Sequence, residues 1–281
     1  MGNRIDHFET SGDFIRWLQD TPAALGWGAG GRNQESEAYG GGIVGRGCDT
    51  LDEAYSLAET GWPEGLERMK DRVNVLRASG RSRVRIRDVA GDLPDVGAFL
   101  AGAPESMTRR VVAESTRRPV LDMIVNCQFQ GSVPAESIMN FGAAIALVID
   151  AMENVGVSVA LSICSFTLNT GHGNGVFGAV IGMKQAGEPL ELDRLVFYTA
   201  HPSFQRRLMF GVFERQVEAA RFNWGYGGYA EMPDVPEGAI YISARSCSAA
   251  CSTPEAALRY VKDIVNKARP DLLESDFQQA A

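Results

Sequence analysis

The stretch from Val120 to Thr167 constrains the fold more than any other part of this chain. It begins with an apolar run, VLDMIVNC, and passes through a short polar loop, QFQGS. It continues as VPAESIMNFGAAIALVIDAMENVG and ends in a second apolar run, VSVALSICSFT. Short apolar runs bounded by turn residues read as buried strands, whereas the middle piece has the length of a helix. Within it Ile138, Phe141, Ile145, Val148, Ile149 and Met152 form one stripe at helical period, and four alanines allow close packing. Ser132 is expected to cap this helix, Pro134 to lie in its first turn and Gly156 to stop it. Two nearly continuous apolar strands joined by a helix predict a parallel sheet with helices on both faces.

The flanking segments are less regular. Residues 4–20 read as a short helix with Phe8, Phe14, Trp17 and Leu18 on it. Glycine is dense from Gly26 to Gly47, which is loop composition. Gly40 to Gly45 satisfies G-x-G-x-x-G, but no strand precedes it and no helix opens on it, so it reads as loop rather than nucleotide site. Thr50-Leu-Asp-Glu53 is a capping box for a helix ending near Gly61, and Trp62-Pro63 starts another. From Ser79 arginine alternates along a strand as Arg81, Arg83, Arg85 and Arg87, and a second strand carries Arg109 and Arg110 before Arg117 and Arg118. Twelve of the 27 Lys and Arg lie between Arg68 and Arg118, against six acidic residues, so a two-stranded basic ribbon is expected. Beyond Thr167 the order is a Gly-rich loop, an edge strand, a helix to Ala200, and a break at His201-Pro202-Ser203. A helix from Phe204 to Ala219, a strand GAIYISARS, and a terminal helix opened by Pro254 complete it.

Composition narrows the function classes. A chain of 281 residues with 45% hydrophobic and 22% charged residues can bury a large core. A net charge of −8 argues against binding nucleic acid over the whole surface and leaves the local arginine ribbon as the one basic candidate. No run reaches the roughly 18 apolar residues of a membrane helix, because Asp122, Asn126, Asp150 and Glu153 interrupt the most apolar region. The N-terminus lacks an apolar signal core, so no secretory leader and no membrane partner are expected. Five cysteines, two of them in apolar strands, fit free thiols in a reducing compartment. Cys247 and Cys251 lack two further ligands for zinc, and His7, His172 and His201 are widely spaced, so neither metal nor cofactor is expected.

The element order from Pro119 to Ala268 resembles a von Willebrand factor A-like domain. In that fold the first strand ends in an acidic D-x-S-x-S loop, a helix follows, and the next two strands form a hairpin at the sheet edge. The resemblance implies an α/β fold with an open, mostly parallel sheet flanked by helices over 119–268. Residues 1–118 would be an N-terminal α+β extension and 269–281 a tail. The motif positions fall on Asn126, Gln128 and Gln130, three amides without the charge to hold a divalent ion, and Arg245 stands where a later acidic ligand would be. The metal site is therefore expected to be degenerate. The chain also resembles an uncharacterised family encoded by tailed phages and some bacterial genomes. That likeness rests on TLDEA (50–54), ETGWPEG (59–65), DVAG (88–91), AGAPESM (101–107) and HPSFQRRL (201–208). It implies a bacterial cytoplasm, with virion association left open.

Three functions follow as expectations. The first is a non-enzymatic interaction or scaffold protein with a protein partner. Its contact face would use Asn126, Gln128, Gln130, Ser132, His172, Asn174, His201, Ser203 and Arg245. The second is a nucleic-acid-associated protein using Arg81, Arg83, Arg85, Arg87, Arg109, Arg110, Arg117 and Arg118. The third is an enzyme or phosphate-ligand binder built on His172, which sits in a glycine-rich loop at the C-terminal end of a strand, where open α/β sheets bind ligands. No Ser-His-Asp arrangement or paired carboxylate supports a specific reaction.

Overall fold

The central strand–helix–strand unit forms as its periodicity requires. In a computed structural model, β5 (Val120–Asn126) runs parallel to β6 (Ser158–Asn169), and α3 (Ala135–Asn154) crosses between them. The structure describes residues 3–22, 48, 50–69, 72, 86–88, 93–94, 107–109, 119–130, 132–154, 156–169, 175–216 and 228–270. The Pro134 carbonyl accepts the first helical bond of α3 from Ile138 N at 3.2 Å. Pro134 therefore ends the loop itself, and Ser132 stands exposed two residues before it.

The main sheet has the order β1 (Arg4–Phe8), β7 (Gly175–Lys184), β6, β5 and β9 (Ile240–Ser243). β9 lies parallel to β5, and β7 lies antiparallel to β6. The two-residue β8 (Gly228–Tyr229) pairs with β6 at Thr167 and Leu168, beyond the end of β5. The outermost strand, β1, runs parallel to β7. The result is an α/β fold with a mixed, mostly parallel sheet.

Two sequence expectations change here. Residues 4–20 are not one helix: β1 is followed by α1 (Ser11–Asp20), capped by Thr10, whose hydroxyl accepts from Asp13 N. The strand and helix look continuous in sequence because Phe8 packs back on Phe14 and Trp17, with ring centroids 5.2 and 5.3 Å apart. Consequently β7 is not an edge strand, since β1 covers it.

The described helices also do not cover both faces. α1, α2 (Leu51–Thr60), α3, α4 (Leu192–Ala200), α5 (Phe210–Arg215), α6 (Cys247–Ala250) and α7 (Pro254–Ala268) all contribute buried residues to one core. That core takes Leu121, Met123 and Val125 of β5, Ile163 of β6, and Ile240 and Ile242 of β9. The opposite face carries Ile124, Cys164, Phe166 and Val180, packed with Ala230 and Met232 from irregular chain. Both faces of β5 are apolar near its C-terminal end, which is why the sequence looks like a strand between two helix layers. α3 is long and apolar enough to cross a membrane by composition, and here it is the buried helix of the core. Gly142 lets it approach α4: a Cβ there would lie 2.6 Å from Thr199 Oγ1.

A second sheet, antiparallel with order β2-β4-β3, joins Ile86–Asp88, Met107–Arg109 and Leu93–Pro94. The expected two-stranded ribbon thus has a third strand. Between Phe204 and Met209 the backbone makes a π-helical turn that runs into α5. The helix expected from Phe204 begins as this turn, and α5 ends at Arg215.

Candidate functional site

Two sites flank the C-terminal end of β5, the end at which neighbouring strands β6 and β9 diverge in connection and where open α/β sheets place their ligands. The first is centred on Asn126, which is fully buried. Its Nδ2 donates to Tyr241 Oη at 2.9 Å and Ala230 O at 3.1 Å, with Tyr229 Oη at 3.4 Å. Its Oδ1 accepts from Gln128 N at 3.0 Å, and Gln128 Oε1 accepts from Ala230 N at 3.3 Å. Glu231 closes the network by accepting from Tyr241 Oη at 2.8 Å and Ser243 Oγ at 2.9 Å. Ser243 Oγ is 2.6 Å from Tyr229 Oη, and its carbonyl accepts from Tyr260 Oη at 2.7 Å. Burial pushes the phenols of Tyr229 and Tyr241 well above their ordinary range, and that of Tyr260 up to about 12, so all three stay protonated as donors.

This network does not fit a divalent ion. Asn126 and Gln128, the first two motif positions, spend their amide oxygens on backbone N–H groups. Asn126 turns its NH₂ toward the tyrosines, and Arg245 places its guanidinium 5.7 Å from the Tyr229 ring centre. A cation would meet donors where it needs oxygens. Among the described residues no group of three or more His, Cys, Asp or Glu is placed to hold a metal. All five cysteines are buried free thiols, and desolvation raises those of Cys48, Cys127 and Cys164 above their ordinary range.

The second site is a pocket of about 250 Å³ on the helical side. Phe129 and Gln130 form one wall, the first turn of α3 a second, and the segment from Tyr198 to Arg206 a third. Trp62, Arg68 and Arg72 complete it. The segment after α4 is held by contacts that are distant in sequence. Gln205 accepts from Phe129 N and donates to Phe129 O, both at 3.2 Å, so its amide acts as a short piece of strand against the loop. Ser203 Oγ accepts from Cys48 N at 2.7 Å, and buried Arg207 donates to Cys48 O at 3.0 Å. His201 stacks on Phe197 at 5.1 Å and meets the edge of Trp62 at 4.6 Å. Its Nδ1 accepts from Ser203 N at 3.1 Å, which leaves the proton of the neutral ring on Nε2. Burial lowers its pKa to about 4, so the ring is neutral at physiological pH.

The guanidiniums of the pocket differ in their contacts. Arg72 donates to Asn140 Oδ1 at 2.9 Å and to Arg68 O at 2.7 Å, and it pairs with Glu136. Arg68 is exposed and Arg206 half-buried, and neither guanidinium has a hydrogen-bond or ion-pair partner among the described residues.

The structure thus brings Gln130 and His201 of the expected contact face together at the pocket, and places Asn126, Gln128 and Arg245 at the first network. Asn126 and Gln128 are buried in the first network, and Ser203 is buried beneath the pocket segment, so none of the three can meet a partner directly. Ser132 and Arg245 are exposed but do not line the pocket. His172 and Asn174 lie outside the described residues, as do Arg81, Arg83, Arg85, Arg110, Arg117 and Arg118. Of the basic ribbon, the register sets Arg87 opposite Thr108 and Arg109 opposite Ile86, so these two arginines occupy consecutive rungs of the ladder. Sequence reasoning missed Glu231, Tyr241, Trp62, Arg68 and Gln205. Gln205 and Trp62 carried a signal, through their places in HPSFQRRL and ETGWPEG.

Fold and sites define an α/β domain with an internally hydrogen-bonded polar network on one side of its central strand and an open pocket on the other. The chain belongs to the family described as a domain of unknown function, DUF7192, whose model matches residues 3–268. No curated protein and no solved structure matches it.

Proposed function

We propose that this chain is a non-enzymatic contact protein, a recognition or scaffold module on a von Willebrand factor A-like fold whose metal site has become structural. One observation carries the reading. The polar groups at the end of β5 that a metal or a reaction would need are consumed by internal hydrogen bonds, while the adjoining pocket presents two guanidiniums, those of Arg68 and Arg206, without partners among the described residues. The fold assignment draws on β5, α3 and the antiparallel β6–β7 pair in sequence, and it departs from the resemblance in having β1 outside β7. The phage-type likeness of the sequence suggests a partner in the host cytoplasm or in the virion.

The test is site-specific photo-crosslinking in the native host. A crosslinking residue at Gln130 or at Arg206 is expected to capture one discrete partner chain. The same residue at Val235, which is 41% exposed and lies away from the pocket, should capture none. Equal labelling at all three positions, or none at any, overturns the assignment of this face.

A further inference from the structure

We infer that the pocket takes an apolar group bearing a carboxylate, and this rests on the contact reading above. Its walls are apolar and aromatic, built from Trp62, Phe129, Ile138, Met139, Tyr198 and Phe204. Such a lining accepts an aromatic or branched aliphatic group and gains by excluding water from it. The polar groups that line the same pocket are cationic in balance. Arg68, Arg72 and Arg206 contribute three positive charges, Glu136 one negative charge, and neutral His201 none.

The distribution of partners makes the charge specific. Arg72 is committed to Glu136, Asn140 and a backbone carbonyl. Arg68 and Arg206 have no such commitments among the described residues. Arg206 is the half-buried one of the two, and a guanidinium so placed without an anion is a cost that a ligand carboxylate removes, with two parallel N–H···O bonds available to it. Glu136 is paired with Arg72, and Arg206 is the half-buried guanidinium left over, so the lining offers one fork that a single planar carboxylate matches, with Arg68 exposed to solvent. Gln130 and the Nε2–H of His201 are further neutral donors in the lining. The combination, an apolar body with one carboxylate, occurs at the C-terminal residue of a polypeptide and in free aryl or alkyl acids.

The experiment is calorimetric titration of the full chain near pH 7 with N-acetylphenylalanine, its amide, acetate and phenyl phosphate. The acid is expected to bind with Kd below about 1 mM and at least about tenfold more tightly than the amide or acetate. Arg206→Gln and Arg68→Gln should each weaken the acid about tenfold and leave the amide unchanged. Arg259→Gln, on the exposed side of α7, should change nothing. A pentapeptide ending in phenylalanine that binds better than N-acetylphenylalanine identifies chain ends as the source, and equal binding identifies a free acid. The proposal is overturned if the amide matches the acid, if acetate matches it, or if phenyl phosphate binds more tightly. It is also overturned if no probe binds the folded protein or if the arginine variants bind as the parent does. Because the guanidiniums of Arg68 and Arg206 make no hydrogen bond or ion pair among the described residues, a loss of binding in these variants is separable from unfolding by a thermal melt. Crosslinking from Gln130 with failure of every probe would keep the contact face and discard this chemistry.

Discussion

Asn126 and Arg206 stand on opposite sides of the end of β5 and face opposite conditions. Asn126 is wholly buried, with every polar atom of its side chain hydrogen-bonded inside the protein. Arg206 is half-buried, lines a pocket and has no partner for its guanidinium among the described residues. The difference separates groups that hold the fold from groups that are available to something else. A buried amide with its bonds satisfied adds stability and specificity to the core, and removing it leaves its neighbours unsatisfied. An unpaired guanidinium at a pocket adds little to the fold and keeps its binding capacity. The distinction is not one of polarity, since both sites are polar, but of where the hydrogen bonds go.

The sharpest way to break the comparison is Asn126→Asp. It removes a donor shared by Tyr241 and Ala230 and sets a second carboxylate in the region that Glu231 already occupies. A loss of about 3 kcal/mol is expected in urea unfolding. The same change restores an acidic residue at the position where the resemblance expects a metal ligand. Adding Mg²⁺ should not recover the loss, because Gln128 and Ala230 still close the site. Recovery by Mg²⁺ would return the network to the class of latent metal sites.

The next effect is one of pH and belongs to the pocket side. His201 has a folded-state pKa near 4 because burial between Trp62 and Phe197 penalises its charged form, while an unfolded histidine titrates near 6.5. The unfolded chain therefore binds the proton first as pH falls. Stability from this residue is fully present above about pH 6.5 and is lost progressively down to about pH 4, by as much as about 3 kcal/mol. Stability measured across that window should fall steeply in the parent and much less in His201→Phe. Parallel curves for the two proteins would remove His201 from the account.

These contacts explain what could be seen in the sequence and what could not. The strand–helix–strand unit and the Thr50 cap were legible because they depend on neighbours a few residues apart. Thr50 Oγ1 accepts from Glu53 N at 3.1 Å, as the capping box requires. The roles within His201–Leu208 were not legible. Ser203 meets Cys48 across 155 positions, Arg207 meets it across 159, and Gln205 meets Phe129 across 76. No local pattern encodes such pairings. Glu231 was invisible for the same reason, since it lies in irregular chain and meets Tyr241 and Ser243 only once β9 docks beside β5. The strand β1 was concealed by Phe8, whose packing on α1 mimics a helical repeat.

A smaller effect is expected where the two regions join. Gln205 ties the π-helical turn to the loop after β5 by two bonds to Phe129. Gln205→Ala should cost about 1–2 kcal/mol, less than Asn126→Asp, because the freed Phe129 groups are partly open to solvent through the pocket. It should also loosen the wall that carries Gln130, so probe binding at the pocket should weaken even though Gln205→Ala removes no charge. Undiminished binding in this variant would mean that the wall holds its shape without the Gln205 link.

The smallest effect is the most informative. Arg68→Gln and Arg206→Gln should each change unfolding stability by no more than about 0.5 kcal/mol, the range of surface substitutions that break no specific contact. A half-buried charge is normally retained because it is paired or because it does something outside the fold. If Arg206→Gln proves stability-neutral or slightly stabilising, while the acid probe loses about tenfold in affinity, the side chain is maintained for a ligand and not for the core. If the substitution instead costs as much as Gln205→Ala, then Arg206 supports the pocket segment. The two sides of β5 would then differ in exposure alone, with both serving the fold.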